Sequence, residues 1–108
     1  MEHREGYFAG VGSIDLYFQS WRAERKARAV LAIIHGFGEH CGRYTNVVSH
    51  FIPKGYAIYG FDLRGHGRSP GQRGHIHSWD EYRGDVKAFL QMGSSQEPAL
   101  PVFLLGHS

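Results

Sequence analysis

"AVLAIIHGFG", residues 29–38, is the stretch from which the fold can be read. Its first six residues are apolar without interruption. They lack the period-two alternation of a half-exposed strand, so they fit a strand covered on both faces, as in a largely parallel sheet. The run stops at His35, and the glycines at 36 and 38 allow a tight loop directly off the strand end. Two further runs behave alike. "YAIYGF" (56–61) opens at Asp62 into a long glycine-rich connection, and "VFLLG" (102–106) leads into His107 and Ser108.

Helices separate these strands. Tyr44, Val47, Val48, Phe51 and Ile52 fall at i, i+3, i+4, i+7 and i+8, an apolar stripe closed by "PKG". Ser78 and Glu81 form a capping box ahead of a second stripe of Trp79, Tyr82, Val86, Phe89 and Leu90. "SSQEPALP" (94–101) reads as a loop. Towards the N-terminus, residues 6–12 and 14–21 read as two strands meeting at "GS". In the second, Ile14, Leu16 and Phe18 alternate with Asp15, Tyr17 and Gln19, so the latter set is expected to face solvent. "RAERKAR" (22–28) is a solvated turn. The order β-β-β-α-β-α-β predicts an α/β fold with a mostly parallel sheet opened by an antiparallel hairpin.

The 108 residues suffice for one small domain, and no repeat or domain boundary is visible. Hydrophobic residues at 42% and charged residues at 20% exclude a disordered chain. A formal charge of +2, with scattered Lys and Arg, implies no nucleic-acid partner. The single cysteine, Cys41, cannot close an intramolecular disulfide, and "MEHREGYFAG" has no apolar signal region, so a cytoplasmic location is expected. "AVLAII" is too short to cross a bilayer. "IDLYFQS" (14–20) resembles an engineered protease scar, but it lacks the leading Glu and continues a strand pattern, so it reads as native.

In such sheets ligands gather at the carboxyl ends of the strands. Three loops arrive there: "HGFGEHCGRY" (35–44), "DLRGHGRSPGQRGHIHS" (62–78) and "GHS" (106–108). A serine following a buried strand can sit on a strained turn with its hydroxyl raised above the sheet edge. Gly106, His107 and Ser108 supply the first three positions of that G-x-S-x-G elbow. Attack on an ester creates an oxyanion, for which one preorganised donor is worth roughly 3–4 kcal/mol. The turn "HGFG" can offer the backbone N–H of Phe37, and the second donor is expected from the residue after the serine.

Taken together, "HGFGEHCGRY", "FDLRGHGRSPGQRGHI" and "PVFLLGHS", in this order and spacing, resemble the monoacylglycerol lipase and lysophospholipase group of α/β-hydrolases, related to serine aminopeptidases of the S33 type. The resemblance implies that residues 1–108 are the N-terminal part of a single α/β-hydrolase domain ending in the nucleophile elbow. It implies a serine carboxylic-ester hydrolase that forms an acyl-enzyme on Ser108, with Phe37 as oxyanion donor and no cofactor or metal. His35, Gly36, Gly38, Glu39 and Arg43 support the oxyanion loop, Glu39 and Arg43 as a pair. The triad Asp and His, and a lid that makes transient contact with a membrane surface, are expected beyond Ser108. The implied partner is a small amphiphilic acyl ester. Serine aminopeptidase or acyltransferase chemistry on the same fold is the alternative, as is a catalytically incomplete binding module. The 108-residue piece alone is expected to be inactive and, with a bare apolar edge strand, prone to association.

Other readings of the polar residues are weaker. A general base must reach the serine oxygen at roughly 2.6–3.2 Å, and His107 diverges from its neighbour on a sharp turn. In this fold the order is Ser, Asp or Glu, His, so all eight histidines come too early, as do Asp62 and Asp85. The resemblance implies that Asp62 anchors the "RGHG" turn, and Asp85 reads as solvent-facing or locally paired. His35, Glu39 and His40 miss the zinc spacing by one residue and lie on a loop rather than a helix. "RGHGRSPG" does not give a dinucleotide fingerprint, and Arg64, Arg68 and Arg73 read as solvated.

Overall fold

A computed structural model of the chain describes residues 1–36, 40–75 and 78–106. Five strands form one mixed sheet in the order β1-β2-β4-β3-β5: β1 Glu2–Ala9, β2 Asp15–Arg22, β3 Ala29–Ile34, β4 Tyr56–Phe61 and β5 Val102–Gly106. β1 and β2 are an antiparallel hairpin, β2 joins β4 antiparallel, and β3 pairs parallel with both β4 and β5. The hairpin-opened α/β sheet is therefore as expected. β1 is displaced from its expected span of 6–12: it begins at Glu2, where pairing extends to Arg22, and ends at Ala9, because Val11–Ser13 form a 3-10 turn.

Two helices connect the parallel strands, α1 Thr45–Phe51 and α2 Trp79–Gln96. Successive side chains of a strand point to opposite faces, and here each face has a cover. Ile33 and Ile58 pack with Val48 and Ile52 of the α1 region. Val30, Ala32, Ile34, Ala57 and Phe61 pack with Phe89 of α2. That double cover is why β3 and β4 read as continuous apolar runs. Burying a residue such as Ile58 or Phe61, both fully enclosed, contributes about 1.5–3 kcal/mol.

Three expectations fail, two of them where distant polar groups intervene. Tyr17 is 4% exposed rather than solvent-facing. The Arg68 guanidinium lies 5.2 Å from its ring centre, and its hydroxyl donates to Glu5. Burial, and then the Glu5 carboxylate, push its phenol above the ordinary range. Trp79, expected in the apolar stripe, is 75% exposed, and it meets only the edge of Tyr82 among described aromatic rings. α2 also continues through Ser94, Ser95 and Gln96, which were read as loop. Tertiary anchoring outweighs serine's modest helix propensity there: the Tyr59 hydroxyl meets Gln96 Oε1 and Glu97 Oε2, each at 3.0 Å, and Arg22 binds Glu97 at 2.6 Å. The capping box holds, with Ser78 Oγ accepting the Glu81 amide at 3.1 Å.

From β3 the chain crosses through α1 to β4 on one side. From β4 it crosses through α2 to β5 on the other side of β3. The connections leaving β3 and β4 thus lead to strands on opposite sides of β3, and beside such a reversal of strand order α/β sheets bind ligands. β5 is the open edge. Phe103 and Leu104 are 55% and 56% exposed, and Val102 and Leu105 are also exposed.

Candidate active site at the carboxyl edge

Register fixes the frame of the site. Ile34 of β3 pairs with Gly106 of β5, so the two strands end side by side at the same level, directly ahead of His35 and of residue 107. Adjacent strands lie about 4.8 Å apart. Gly36 is buried. Phe37, Gly38 and Glu39 lie outside the described residues, as do His107 and Ser108 and the side chain of Arg43. The expected nucleophile, oxyanion donor and Glu39–Arg43 pair therefore rest on the sequence. The Arg43 backbone belongs to a 3-10 turn, Cys41–Tyr44, which the exposed His40 opens by accepting the Gly42 amide on Nδ1 at 3.2 Å.

His35, expected to support the oxyanion loop, opens the segment that follows β3. It is 2% exposed. Its Nε2 accepts the amide of Leu63 at 2.8 Å, and its Nδ1 lies 2.7 Å from the Gly36 carbonyl. An amide can only donate and a carbonyl only accept, so the proton sits on Nδ1 and the ring is neutral. With both nitrogens engaged in this way, His35 is unsuited to ligate a metal. The ring of His66, also buried, lies 5.3 Å away, and its Nδ1 faces the Arg64 carbonyl at 3.1 Å.

Asp62 does more than anchor the turn that follows it. One oxygen accepts the Arg68 amide at 2.8 Å, which is the expected anchor, and the other accepts the Cys41 amide from the neighbouring loop at 2.7 Å. The approach of Gly67 is so close that a Cβ there would lie 2.2 Å from Asp62 Oδ2, at a backbone φ of +49° that already favours glycine. Ser69, fully buried, completes the join. Its hydroxyl donates to the Asp62 carbonyl at 2.5 Å and accepts the Tyr17 amide at 2.9 Å. Sequence reasoning missed Ser69 altogether, because a single buried hydroxyl inside a glycine-rich loop breaks no pattern.

Cys41 is 2% exposed, and its sulfur accepts from Gln19 Nε2 at 3.2 Å. Burial, reinforced by the Asp62 charge, pushes its thiol up to about 12. It is therefore unreactive at neutral pH. Arg64 is not the solvated residue expected. It is held by Asp85 at 3.1 Å, by Glu81 at 3.3 Å and by the Val11 carbonyl at 2.6 Å. Asp85 is buried rather than solvent-facing, and its pairing is with Arg64, 21 residues away, rather than local. Arg73 is exposed yet ordered, donating to the carbonyls of Ser69 and Gly67 at 2.9 Å each. Among the described residues no helix is long and apolar enough to cross a membrane.

Known proteins are similar to this chain in sequence and in fold. A family model described as serine aminopeptidase, S33, matches residues 25–108. A monoacylglycerol lipase of Mycolicibacterium smegmatis is 38% identical over 104 residues, covering 96% of this chain and 37% of that protein. A phospholipase of Bacillus subtilis is 42% identical over 89 residues, covering 82% of this chain and 33% of that protein. A thermostable carboxyl esterase from Bacillus coagulans, crystallised with glycerol, superposes with a TM-score of 0.86 at 25% identity, over 99% of this chain and 36% of its own. The chain thus spans between 33% and 37% of the length of these relatives.

Proposed function

Because the chain belongs to the serine aminopeptidase S33 family of α/β-hydrolases, we propose that it carries the nucleophile and one oxyanion donor of a serine carboxylic-ester hydrolase acting on a monoacylglycerol, lysophospholipid or similar amphiphile. The observation that carries this reading is the pairing of Ile34 with Gly106, which starts "HGFG" and "GHS" side by side at the switch point of the sheet.

Ser108 Oγ attacks the acyl carbon while a histidine later in the chain takes its proton. The carbonyl oxygen becomes an oxyanion, stabilised by the Phe37 amide and by the amide of the residue after Ser108. Collapse expels the glycerol or phosphoglycerol alcohol, which leaves with the proton from histidine. Water then cleaves the acyl-enzyme by the same steps, with a later Asp orienting the histidine. Side chains and backbone supply every group the reaction uses. A neutral, buried His35 suits the oxyanion side, since it places no ionisable competitor there. The buried thiol of Cys41 suits a reducing, cytoplasmic setting, and a lid beyond Ser108 would meet the lipid surface.

The experiment uses the full-length protein, with acylglycerols, lysophospholipids and aminoacyl amides as a substrate panel. Ester turnover that Ser108→Ala abolishes, together with labelling of Ser108 by a fluorophosphonate, is the expected result. Ester turnover that survives Ser108→Ala overturns the assignment. The family's description as serine aminopeptidases favours amide hydrolysis as the second reading, and a preference for the aminoacyl amides would establish it.

A further inference from the structure

The two long loops of the carboxyl edge are tied at two points, and the ties run in opposite senses. His35 in the first loop accepts the amide of Leu63 in the second, at 2.8 Å. Asp62 at the head of the second accepts the amide of Cys41 in the first, at 2.7 Å. In sequence the two ties bracket residues 37–39. The other Asp62 oxygen accepts the Arg68 amide at 2.8 Å. One carboxylate, 2% exposed, therefore joins the end of β4, the turn beginning at Cys41 and the turn through Arg68.

We propose that Asp62 is a positioning residue for ester hydrolysis, whose carboxylate sets where the loop leaving β3 lies relative to the chain leaving β5. This rests on the reading that the Phe37 amide stabilises the oxyanion. Two amide donors converge on one side chain, so two acceptor oxygens are needed in the same place. Asparagine offers one oxygen and turns an NH₂ group towards the other amide, where donor meets donor. The loop must then shift, or one amide stays buried without a partner. Anchoring the 62–75 loop alone would not require Asp62 to reach Cys41, because Ser69 already bridges that loop to β2.

The test compares Asp62→Asn with Ser69→Ala in the full-length hydrolase. Ser69→Ala breaks the bonds to the Tyr17 amide and the Asp62 carbonyl but leaves the Cys41 tie in place, so it serves as a stability control. Asp62→Asn is expected to lower kcat by about 10- to 100-fold, the scale of a misplacement near 1 Å, with KM unchanged within about twofold. Ser69→Ala is expected to lower Tm while kcat stays near wild type. Asp62→Glu, which keeps the charge but moves it outward by one methylene, is the second variant should Asn prevent folding, and the same fall in kcat is expected. A folded Asp62 variant with wild-type kcat overturns the proposal. So does an equal kcat loss in Ser69→Ala at matched stability. If ester turnover instead survives Ser108→Ala, it is the functional reading that has failed.

Discussion

Raising the pH from 7 to 10 should destabilise the wild-type fold more than it destabilises a Cys41→Ala variant. In the folded protein burial and the Asp62 charge hold the Cys41 thiol up to about 12, against an ordinary value of 9.0. The folded state therefore keeps a proton that the unfolded chain gives up. The stability this confers is fully present below the ordinary value and is lost as pH rises towards the folded one. One unit of displaced pKa corresponds to about 1.4 kcal/mol. The loss should be on the order of 1 kcal/mol at pH 10 and about twice that at pH 11.

The phenols of Tyr17 and Tyr59 are also pushed up by burial and by neighbouring carboxylates. Tyr59 steepens the fall in both proteins alike, and Tyr17 nearly so because Cys41 is the smallest cause of its shift, so the difference between wild type and variant reports chiefly the thiol. At neutral pH the variant starts lower by about 1 kcal/mol, from lost packing and a stranded Gln19 donor. That gap should close near pH 10. Urea unfolding followed by the fluorescence of Trp21, which is 7% exposed, measures it at each pH. A gap that stays constant from pH 7 to pH 10 refutes the account of Cys41 as a thiol buried against a charge.

Arg64→Met should cost about 3–5 kcal/mol, because it leaves the Asp85 carboxylate buried without its cation; a double variant with Asp85→Leu should recover much of the loss in urea unfolding. Gly67→Ala should lower Tm by several degrees, since the new Cβ would lie 2.2 Å from Asp62 Oδ2, and an unchanged Tm would contradict the close approach. The 108-residue chain by itself should show no serine-dependent ester turnover and should self-associate through β5, where Phe103 and Leu104 are more than half exposed. Leu104→Lys should shift it towards monomer in light scattering, and a monomeric wild-type chain would sink that expectation.

The parts of the fold legible in the sequence are those whose cause is periodic. β3, β4 and β5 could be bounded to the residue, because strands sandwiched between helices or continued into a sheet must be apolar at every position. α1 announced itself through its stripe and its "PKG" stop. The misses share a different cause. Tyr17 is buried by Arg68, which lies far along the chain, and α2 is prolonged by Glu97, whose partner Arg22 is 75 residues away. Asp85 is buried by Arg64, 21 residues before it. Each is a polar residue whose environment depends on one distant partner, and a single distant partner leaves no period to detect.

The same distinction separates the two halves of the candidate site. Strand order and register end β3 and β5 side by side, ahead of His35 and of residue 107, and the arrival of both strand ends at one sheet edge follows from apolar pattern and connectivity. The polar bracing does not. The anchoring of the turn just after Asp62 was implied by the family resemblance, whereas its bond to the Cys41 amide spans 21 residues and was not. Backbone amides carry no residue-specific signature, so no motif could name Cys41 as the partner. Where a loop is held by amides meeting a buried carboxylate, the carboxylate is the only member of the join that the sequence can display, which makes a short acidic residue at the end of a buried strand a place to look for the geometry of the next loop.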